Sequence, residues 1–239
     1  MGKVSRTIWL FRKLVHFFFR PEIIGFDENI PKKGGAIIAA NHGGFELDTY
    51  ILSCITRRWI HVLYWDYFYY DNISYYLVKY VKPIPVNIPH FKIAPGLNIN
   101  NPKHIVIMKK FFRKGHLVGI FPDGDSNTMW EGYRLHKFYP GVSKLAIGCE
   151  VPVIPTAIIG VNEGAPLLFE VKNKGTPSLL ALPLPILLPK KVIIHFGAPM
   201  YFDKFYNKEV SKAQHWKNAE LIRQKVAALL KEHGKDLGL

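Results

Sequence analysis

The fold is decided by residues 36–48, which read AIIAANHGGFELD. An apolar run that stops at Asn41-His42 and two glycines is typical of a buried strand that delivers polar side chains to the edge of a sheet. In open α/β sheets, ligands bind beyond the carboxyl ends of the strands. Because the ordinary pKa of histidine lies near neutrality, His42 beside an orienting carboxylate can take a proton from a hydroxyl. Asp48 is the candidate carboxylate, although a helix-capping histidine and an unrelated surface aspartate would give the same pattern.

Strand-like and helix-like segments alternate along the rest of the chain. Further strands are predicted at residues 59–63, 83–87, 116–121, 152–159 and 192–196, and helices at residues 47–55, 102–114 and 140–150. A last helix is predicted to begin with Asn218 as its N-terminal cap and to end at Gly234. The alternation indicates an α/β fold. Because 239 residues suffice for one sizeable core and no linker interrupts the sequence, a single domain is expected.

The predicted strand at residues 116–121 also ends in a polar loop, which reads PDGDSN. If that strand lies parallel to the first one, the two loops meet at one edge of the sheet, and His42 shares a crevice with Asp123. The alternating oxygens resemble the start of a calcium loop. Thr128 and Arg134 stand where a glycine and a bidentate glutamate are needed, so no metal is expected. The sequence contains no GxSxG elbow, Walker loop or Rossmann glycine fingerprint, so neither a serine nucleophile nor a nucleotide cofactor is indicated.

The composition points to an anionic partner. Lysine and arginine exceed aspartate and glutamate by 32 − 18 = 14, so the surface should attract nucleic acid, anionic lipid, or a phosphorylated substrate or carrier. No apolar run reaches the roughly 18 to 20 residues of a membrane-spanning helix, which argues against a polytopic membrane protein. Cys54 and Cys149 are too few for a disulfide framework or a cysteine metal site, and both are expected to be buried.

Two segments differ from the surface of an ordinary soluble enzyme. Residues 1–21 combine aromatic and basic side chains, which predicts a helix that lies in a membrane interface; an ordinary helix packed on the domain fits equally well. Residues 178–189 are apolar but contain prolines at 183, 185 and 189, so they cannot form a regular helix. They are expected either to enter the lipid or roof an acyl channel as a loop, or to pack in the core as a proline-broken strand.

Four motifs follow one another in a distinctive order: Asn41-His42 with Asp48, then residues 120–124, 137–146 and 151–157. Together they resemble the glycerolipid acyltransferase family, the glycerol-3-phosphate and lysophosphatidate acyltransferases. The resemblance implies a mostly parallel mixed sheet flanked by helices in one acyltransferase domain, residues 22–239, preceded by the membrane-interface helix of residues 1–21. It also implies an O-acyltransferase at the cytoplasmic face of a membrane, with acyl-CoA or acyl-carrier protein as donor and a lysophospholipid or glycerol phosphate-like acceptor. Neither a cofactor, a metal nor nucleic acid is expected.

The resemblance further implies roles for individual residues. His42 would be the catalytic base, and Asp48 the carboxylate that orients it. The residues expected to bind the substrates are Asn87, Phe121, Pro122, Asp123, Gly124, Asp125, Ser126 and Lys137. The oxyanion that forms on the thioester carbon needs preorganised donors, for which backbone N–H groups near Gly124 or in the Gly43-Gly44 loop are candidates.

The chain departs from the family pattern in two ways. Residues 43–47 separate His42 from Asp48, one residue more than is usual, and the two glycines can absorb it because glycine accepts backbone angles that other residues avoid. Glu46 is a less favoured alternative to Asp48. Asp123, Asp125 and Ser126 stand where the family has a glutamate, a threonine and an arginine, and the strand that ends at residues 85–88 lacks a second arginine often found there. Both arginines are thought to grip the phosphate of the acceptor, and neither serine nor isoleucine can form a bidentate clamp. Either the acceptor carries no phosphate there, or other cations replace the arginines; the candidates are Lys82, Lys92, Arg134 and Lys137.

Two other classes of function fit parts of the sequence. A catalytically inactive relative that binds lipid or membrane would explain the altered spacing and the two missing arginines. A nucleic-acid-binding protein would fit the charge, but the aromatic residues cluster with apolar rather than basic neighbours. The acyltransferase interpretation accounts for the motifs as well as the charge.

Overall fold

The structure is a computed structural model, which describes residues 6–43, 45–54, 56, 58–65, 82–86, 96–124, 126–171, 180–183 and 188–238. The strands are β1 (Glu22–Ile24), β2 (Ala36–Ala40), β3 (Ile60–Trp65), β4 (Ile84–Val86), β5 (Leu117–Ile120), β6 (Val153–Ile159), β7 (Leu167–Val171), β8 (Leu180–Pro183) and β9 (Ile193–Phe196). The helices are α1 (Arg6–Phe19), α2 (Phe26–Asn29), α3 (Phe45–Cys54), α4 (Pro102–Arg113), α5 (Gly141–Cys149), α6 (Val161–Gly164) and α7 (Lys212–Glu232).

Seven of these strands form one sheet, in the order β1-β9-β6-β2-β5-β3-β4. The neighbours from β6 to β4 in that order all run parallel. Strand β9 runs antiparallel to β6, and β1 is parallel to β9. Strands β7 and β8 form a separate antiparallel pair. The α/β fold and the mostly parallel mixed sheet expected from the sequence are confirmed.

Strand β2 lies at the centre of the sheet and carries the core on both of its faces. All five of its residues are fully buried. Ile37 and Ala39 belong to the apolar cluster that includes side chains of α4, α5 and α7. Ile38 and Ala40 belong to the cluster on the other face, with side chains of α1 and α3. Because helices cover both faces, β2 is a continuous apolar run rather than an alternating one.

The parallel pairing of β2 with β5 brings two polar loops together. Ala39 pairs with Ile120, so the carboxyl ends of the two strands lie side by side. Residues 41–43 follow the end of β2. Residues 121–128 follow the end of β5, and the structure describes all of them except Asp125. This is the edge at which α/β sheets hold their reacting groups.

The C-terminal helix begins earlier than the sequence suggests. The hydroxyl of Ser211 caps α7 by accepting the N–H of Gln214 at 3.2 Å. Asn218 lies buried inside the helix, and its Nδ2 donates to Oγ of Ser143 at 3.1 Å. The prediction that Asn218 caps the helix is wrong, because a tertiary hydrogen bond satisfies this side chain in the helix interior. Ser211 followed three residues later by Gln214 is the capping-box pattern that marks the true start.

Among its described side chains, helix α1 packs on the domain through Val15 and Phe19. Val15 and Phe19 are buried, and the Phe19 carbonyl accepts the N–H of Val192 at 2.8 Å. On the other face Leu14 and Phe17 stay exposed, Phe17 by 73%. The exposed part of the helix thus carries apolar side chains together with Lys13 and His16, and the membrane-interface helix stays a prediction. Within the described ranges, no helix combines the length and the apolar character that crossing a membrane requires.

The apolar segment of residues 178–189 is described in part. Residues 180–183 form β8, so its backbone is a strand over this range. Residues 178–179 and 184–187 lie outside the described residues, and the loop expected to enter the lipid stays a prediction. Leu188 is 40% exposed, and its N–H donates to the Gly164 carbonyl at 2.8 Å.

Candidate active site

His42 and Asp48 are in direct contact at the carboxyl edge of the sheet. His42 follows β2 closely, and Asp48 lies in the first turn of α3, with its Oδ2 2.6 Å from Nδ1 of His42. The Asp48 side chain is fully buried, and its Oδ1 accepts the N–H of Thr49 at 2.7 Å. Because a carboxylate accepts hydrogen bonds, Nδ1 carries the proton and Nε2 keeps a lone pair. The side chain of Glu46 lies outside the described part of the structure. The catalytic roles of His42 and Asp48 stay predictions.

The second ring nitrogen of His42 meets a hydroxyl group. Oγ of Ser126 lies 3.0 Å from Nε2, and Ser126 is only 8% exposed. Since Nε2 holds the lone pair, the Ser126 hydroxyl is the donor. The sequence offered no signal for this contact, because 84 positions separate the two residues and no nucleophile motif marks Ser126.

Two further contacts hold His42 against the loop that follows β5. The Phe121 ring stacks on the His42 imidazole, with 4.2 Å between centroids and 12° between planes. The His42 carbonyl accepts the N–H of Asn127 at 2.9 Å, and the Asn127 amide donates to the carbonyls of Gly132 and Arg134. The His42 side chain is still 18% exposed, so a substrate can reach the ring while its orientation is constrained.

Asn41 anchors the strand end that carries His42. Its Nδ2 donates to the Ile158 carbonyl at 2.9 Å, and its Oδ1 accepts the Ile158 N–H at 2.8 Å. The last residue pair between β2 and β6 is Ala40 with Thr156. The hydrogen bonds of the Asn41 side chain therefore continue the attachment to β6 beyond the end of β2. In the sequence Asn41 is recognisable only as part of a motif, and nothing there indicates this anchoring role.

Replacing Asn41 with alanine is expected to lower the free energy of unfolding by about 2–6 kcal/mol. The change leaves a buried N–H and a buried carbonyl without their side-chain partner, at about 1–3 kcal/mol each. Urea denaturation measures the effect, with Asn100→Ala at an exposed asparagine as the control, for which a change within about 0.5 kcal/mol is expected. Equal unfolding midpoints for the two variants would contradict the anchoring role.

The loop after β5 contains most of the residues expected to bind substrate. Pro122 and Asp123 are buried, and the Pro122 carbonyl accepts the N–H of Tyr139 at 2.8 Å. Gly124 is exposed and has a φ of 76°, a left-handed conformation that favours glycine. Its N–H donates to the Phe121 carbonyl at 3.1 Å. That N–H closes a turn, which removes it from the candidates for the oxyanion site in this conformation.

The other predicted site residues lie elsewhere or are not described. The Nζ of Lys137 lies 4.1 Å from the centre of the Trp216 ring on α7. Asn87 and Asp125, like Gly44 in the loop after His42, lie outside the described residues, and their roles stay predictions. Gly43 is described and buried, and its backbone N–H remains a candidate for the oxyanion site.

Cys149 is buried, as expected, and burial raises the pKa of its thiol to about 12. A thiol that stays protonated is a poor nucleophile. The side chain of Cys54 lies outside the described part. Among the side chains that the structure does describe, no three of His, Cys, Asp or Glu cluster so as to hold a metal ion.

Comparison with known proteins connects this geometry to a family. The family model described as "Acyltransferase" matches residues 23–159, which include His42, Asp48 and Ser126. The uncharacterized protein ML2427 of Mycobacterium leprae is 27% identical over 217 residues, which cover 80% of this chain and 55% of the relative. The uncharacterized protein Rv0502 of Mycobacterium tuberculosis is 28% identical over 211 residues, 79% of this chain and 55% of the relative. The chain thus spans about half the length of these relatives.

A solved structure shares the fold. The 1-acyl-sn-glycerophosphate (LPA) acyltransferase PlsC from Thermotoga maritima matches with a TM-score of 0.57 and 19% sequence identity, over 94% of this chain and 78% of PlsC. At this identity the match concerns the arrangement of strands and helices. The family model covers more than half of the 239 residues and includes the His42 and Ser126 loops. The chain therefore belongs to the acyltransferase family that the glycerolipid acyltransferase motifs indicated.

Proposed function

We propose that the chain is an O-acyltransferase that moves a fatty acyl group from acyl-CoA or acyl-carrier protein to a hydroxyl of a lysophospholipid or glycerol phosphate-like acceptor. Membership of the acyltransferase family supports the reaction type. One observation carries the rest: His42 contacts the Asp48 carboxylate at 2.6 Å through Nδ1 and a hydroxyl at 3.0 Å through Nε2. A histidine oriented in this way can accept the proton of an attacking hydroxyl.

In the proposed reaction, the acceptor hydroxyl attacks the carbonyl carbon of the thioester. Nε2 of His42 takes the hydroxyl proton, and the Asp48 carboxylate stabilises the imidazolium that results. When the C–S bond breaks, the proton passes from Nε2 to the leaving sulfur, which yields a free thiol and a new ester. The backbone N–H of Gly43 is a candidate for stabilising the oxyanion that forms between these steps.

An acceptor without a phosphate is a specific alternative. Ser126 occupies the position of the family's phosphate-binding arginine, and its hydroxyl contacts Nε2 of His42. Arg58 is held by three backbone carbonyls at the opposite edge of the sheet. Arg134 is exposed and belongs to the loop that Asn127 anchors next to His42. Among the described cations, Arg134 is thus a candidate for binding the phosphate of an acceptor, while Lys92 lies outside the described residues. An acceptor such as a monoacylglycerol would need no such ligand.

Two acceptors that differ only in the phosphate test the proposal. Purified protein on vesicles receives long-chain acyl-CoA or acyl-carrier protein, together with lysophosphatidate, monoacylglycerol or no acceptor, and the released thiol is measured. Acceptor-dependent thiol release is expected with at least one acceptor. Faster turnover of monoacylglycerol would select the unphosphorylated acceptor. If neither acceptor increases thiol release above the rate without acceptor, with acyl-CoA or with acyl-carrier protein as donor, the proposal is overturned in favour of an inactive lipid-binding relative.

The proposal locates the reaction at the cytoplasmic face of a membrane. Helix α1 exposes the apolar side chains of Leu14 and Phe17 beside the exposed cations Lys13 and Arg20. Leu188 is also exposed, and its backbone N–H donates to the carbonyl of Gly164 in α6. Gly164 in turn lies against the Phe19 ring of α1. Apolar side chains next to cations suit a surface of acyl chains and anionic headgroups.

Replacing Leu14 and Phe17 together with serine is expected to weaken binding to vesicles that contain anionic lipid by at least about tenfold. A buried leucine or phenylalanine side chain contributes roughly 1.5–3 kcal/mol, and about 1.4 kcal/mol is tenfold in affinity. Cosedimentation measures the binding, with Leu221→Ser on α7, another exposed leucine, as the matched control. Added salt should weaken the binding of all three proteins through its electrostatic part. Equal binding by the double variant and the control would contradict a membrane contact through α1.

A further inference from the structure

The turn of residues 128–131 follows the segment that is attached to the His42 loop. Asn127 donates its N–H to the His42 carbonyl at 2.9 Å, and Trp130 comes three residues later in the sequence. Because three residues of extended chain span at most about 11 Å, the backbone of Trp130 lies within that distance of the Asn127 backbone. A surface that binds Trp130 therefore lies close to the candidate active site.

Trp130 is an apolar side chain that the protein holds out in solvent. It is 78% exposed, more than any other large apolar side chain in the described ranges, and Met129 beside it is also exposed. Nε1 of Trp130 donates to the Leu168 carbonyl at 3.1 Å, and the Met129 N–H donates to the Leu167 carbonyl at 2.8 Å. Both bonds attach the turn to β7. An exposed apolar pair that is fixed in this way is typical of a surface that binds an apolar partner.

The hydrogen bond to Leu168 lets the indole ring enter an apolar phase. An indole N–H that loses its water partner costs free energy unless a protein acceptor replaces the water. The Leu168 carbonyl already provides that acceptor. Arg134, which is exposed in the same segment, provides a cation for anionic groups at a lipid surface. The segment thus combines an apolar ring, a satisfied donor and a cation, which suits the boundary between acyl chains and headgroups.

The turn is closed by its own side chains and is attached to α6. The N–H and the hydroxyl of Thr128 both donate to Oε2 of Glu131, at 2.9 and 3.0 Å. Nδ2 of Asn162 in α6 donates to the Gly132 carbonyl at 3.1 Å. These bonds restrain the turn, so Trp130 keeps its position relative to the active site when it meets a surface.

Helix α1 ends at the same edge of the sheet as this turn. Strand β9 runs antiparallel to β6, and its first residue, Ile193, pairs with the last residue of β6, Ile159. The Phe19 carbonyl at the end of α1 accepts the N–H of Val192, which directly precedes β9. The end of α1 and the turn of residues 128–131 therefore both lie at the carboxyl edge, and a lipid surface laid across this edge would meet both.

We propose that Trp130 and Met129 bind the acyl-chain region of a membrane and hold the crevice of His42 against the lipid surface. The proposal rests on the proposed transfer to a lipid acceptor and adds a second contact to the one through α1. With the crevice at the surface, the hydroxyl of an acceptor reaches Nε2 of His42 while its acyl chain stays in the lipid. The acyl chain is then not exposed to water, which would be unfavourable.

Trp130→Ala is expected to weaken binding to vesicles that contain anionic lipid by at least about tenfold, because a buried tryptophan removes roughly 150–250 Å² from water. Cosedimentation measures the binding. The matched control is Tyr201→Ala. Tyr201 is an aromatic residue that is 60% exposed, and it follows Met200, which bonds the first residue of β6, Val153, at the opposite edge of the sheet. The control should bind like wild type. Equal binding by Trp130→Ala and wild type would overturn the proposal.

Fluorescence tests the contact itself. Lipids that carry bromine on their acyl chains quench tryptophan at short range. Trp130→Phe keeps an apolar ring and should retain most of the binding, but it lacks this fluorophore. The difference between wild type and Trp130→Phe at saturating vesicles therefore isolates the signal of Trp130, which should be quenched. An unquenched Trp130 signal from vesicle-bound protein would contradict the contact.

Rates separate a lipid contact from a substrate subsite. With an acceptor in vesicles, Trp130→Ala should need more lipid for its half-maximal rate and should retain kcat. With a short-chain acceptor dissolved in water, it should keep the wild-type KM. A raised KM for the dissolved acceptor or for the donor, with unchanged vesicle binding, would mean that the ring binds a substrate instead, which overturns the proposal. Thermal unfolding of Trp130→Ala tests whether the fold is kept.

The same experiments distinguish this proposal from the proposed function. If wild type releases no thiol with any donor and acceptor but its vesicle binding depends on Trp130, the membrane contact stands and the transferase function fails. If wild type transfers acyl groups and Trp130→Ala matches it on vesicles in both binding and rate, the membrane contact fails and the transferase function stands.

Discussion

Replacing His42 with alanine is expected to lower kcat/KM for acyl transfer by about 10²–10⁴-fold, the range over which positioned general bases contribute. The loss should appear in kcat, because the proton moves only as the hydroxyl attacks. The expectation follows because the acceptor hydroxyl would lose its proton to Nε2 of this side chain. Initial rates of thiol release with the preferred acceptor measure the effect.

His215→Ala is the matched control for this substitution. Like His42, His215 contacts a serine hydroxyl at 3.0 Å, but it lies on α7 rather than at the carboxyl edge of the sheet. We expect the control to retain nearly full activity. Thermal unfolding of both variants shows whether the loss of the Phe121 stacking partner affects the fold. Near-normal turnover by a folded His42→Ala protein would remove the mechanism.

Replacing Asp48 with asparagine should have an effect of similar size, about 10²–10⁴-fold in kcat. The side chain is fully buried and keeps its shape in this substitution, so the contact with the Thr49 N–H can persist. An amide can donate to Nδ1 of His42, which shifts the ring proton to Nε2. That nitrogen then no longer accepts a proton from the hydroxyl.

Glu46→Gln provides the comparison for Asp48→Asn, because both remove one negative charge from the same helix turn. We expect Glu46→Gln to keep activity within a few fold of wild type, since Asp48 holds the contact with Nδ1. The same rate assay ranks the two variants. A greater loss in Glu46→Gln than in Asp48→Asn would mean that the wrong carboxylate had been assigned to His42.

The sheet could be predicted from the sequence because its signals are local. Residues 36–40 and 117–120 are apolar and end in polar loops, and the structure has β2 and β5 there as parallel neighbours. That pairing alone brings the His42 loop and the loop after β5 to one edge. Helix α7 shows the limit of local signals, because Asn218 has the residue type of a cap but is satisfied by Ser143 on another helix.

The details of the site depend on contacts between distant parts of the chain. The Asn41 side chain bonds Ile158, 117 positions away, and Ser126 meets His42 across 84 positions. Residue type and spacing do not predict such contacts, because an asparagine after a strand and a serine in a polar loop are both common. The motif order identified the loop that contains Ser126, but the partner of its hydroxyl depends on the backbone path around Gly124 and Asn127.

The most direct test of the central claim, acyl transfer at His42, is the mass spectrum of the lipid product. Vesicles that contain the preferred acceptor receive acyl-CoA or acyl-carrier protein with an isotope-labelled acyl chain, together with wild type or His42→Ala. Wild type is expected to form an ester that carries the labelled chain, with one free thiol per ester, and His42→Ala to form none above the rate without protein. Equal labelled product from both proteins, or none from wild type with any donor and acceptor pair, would contradict the account.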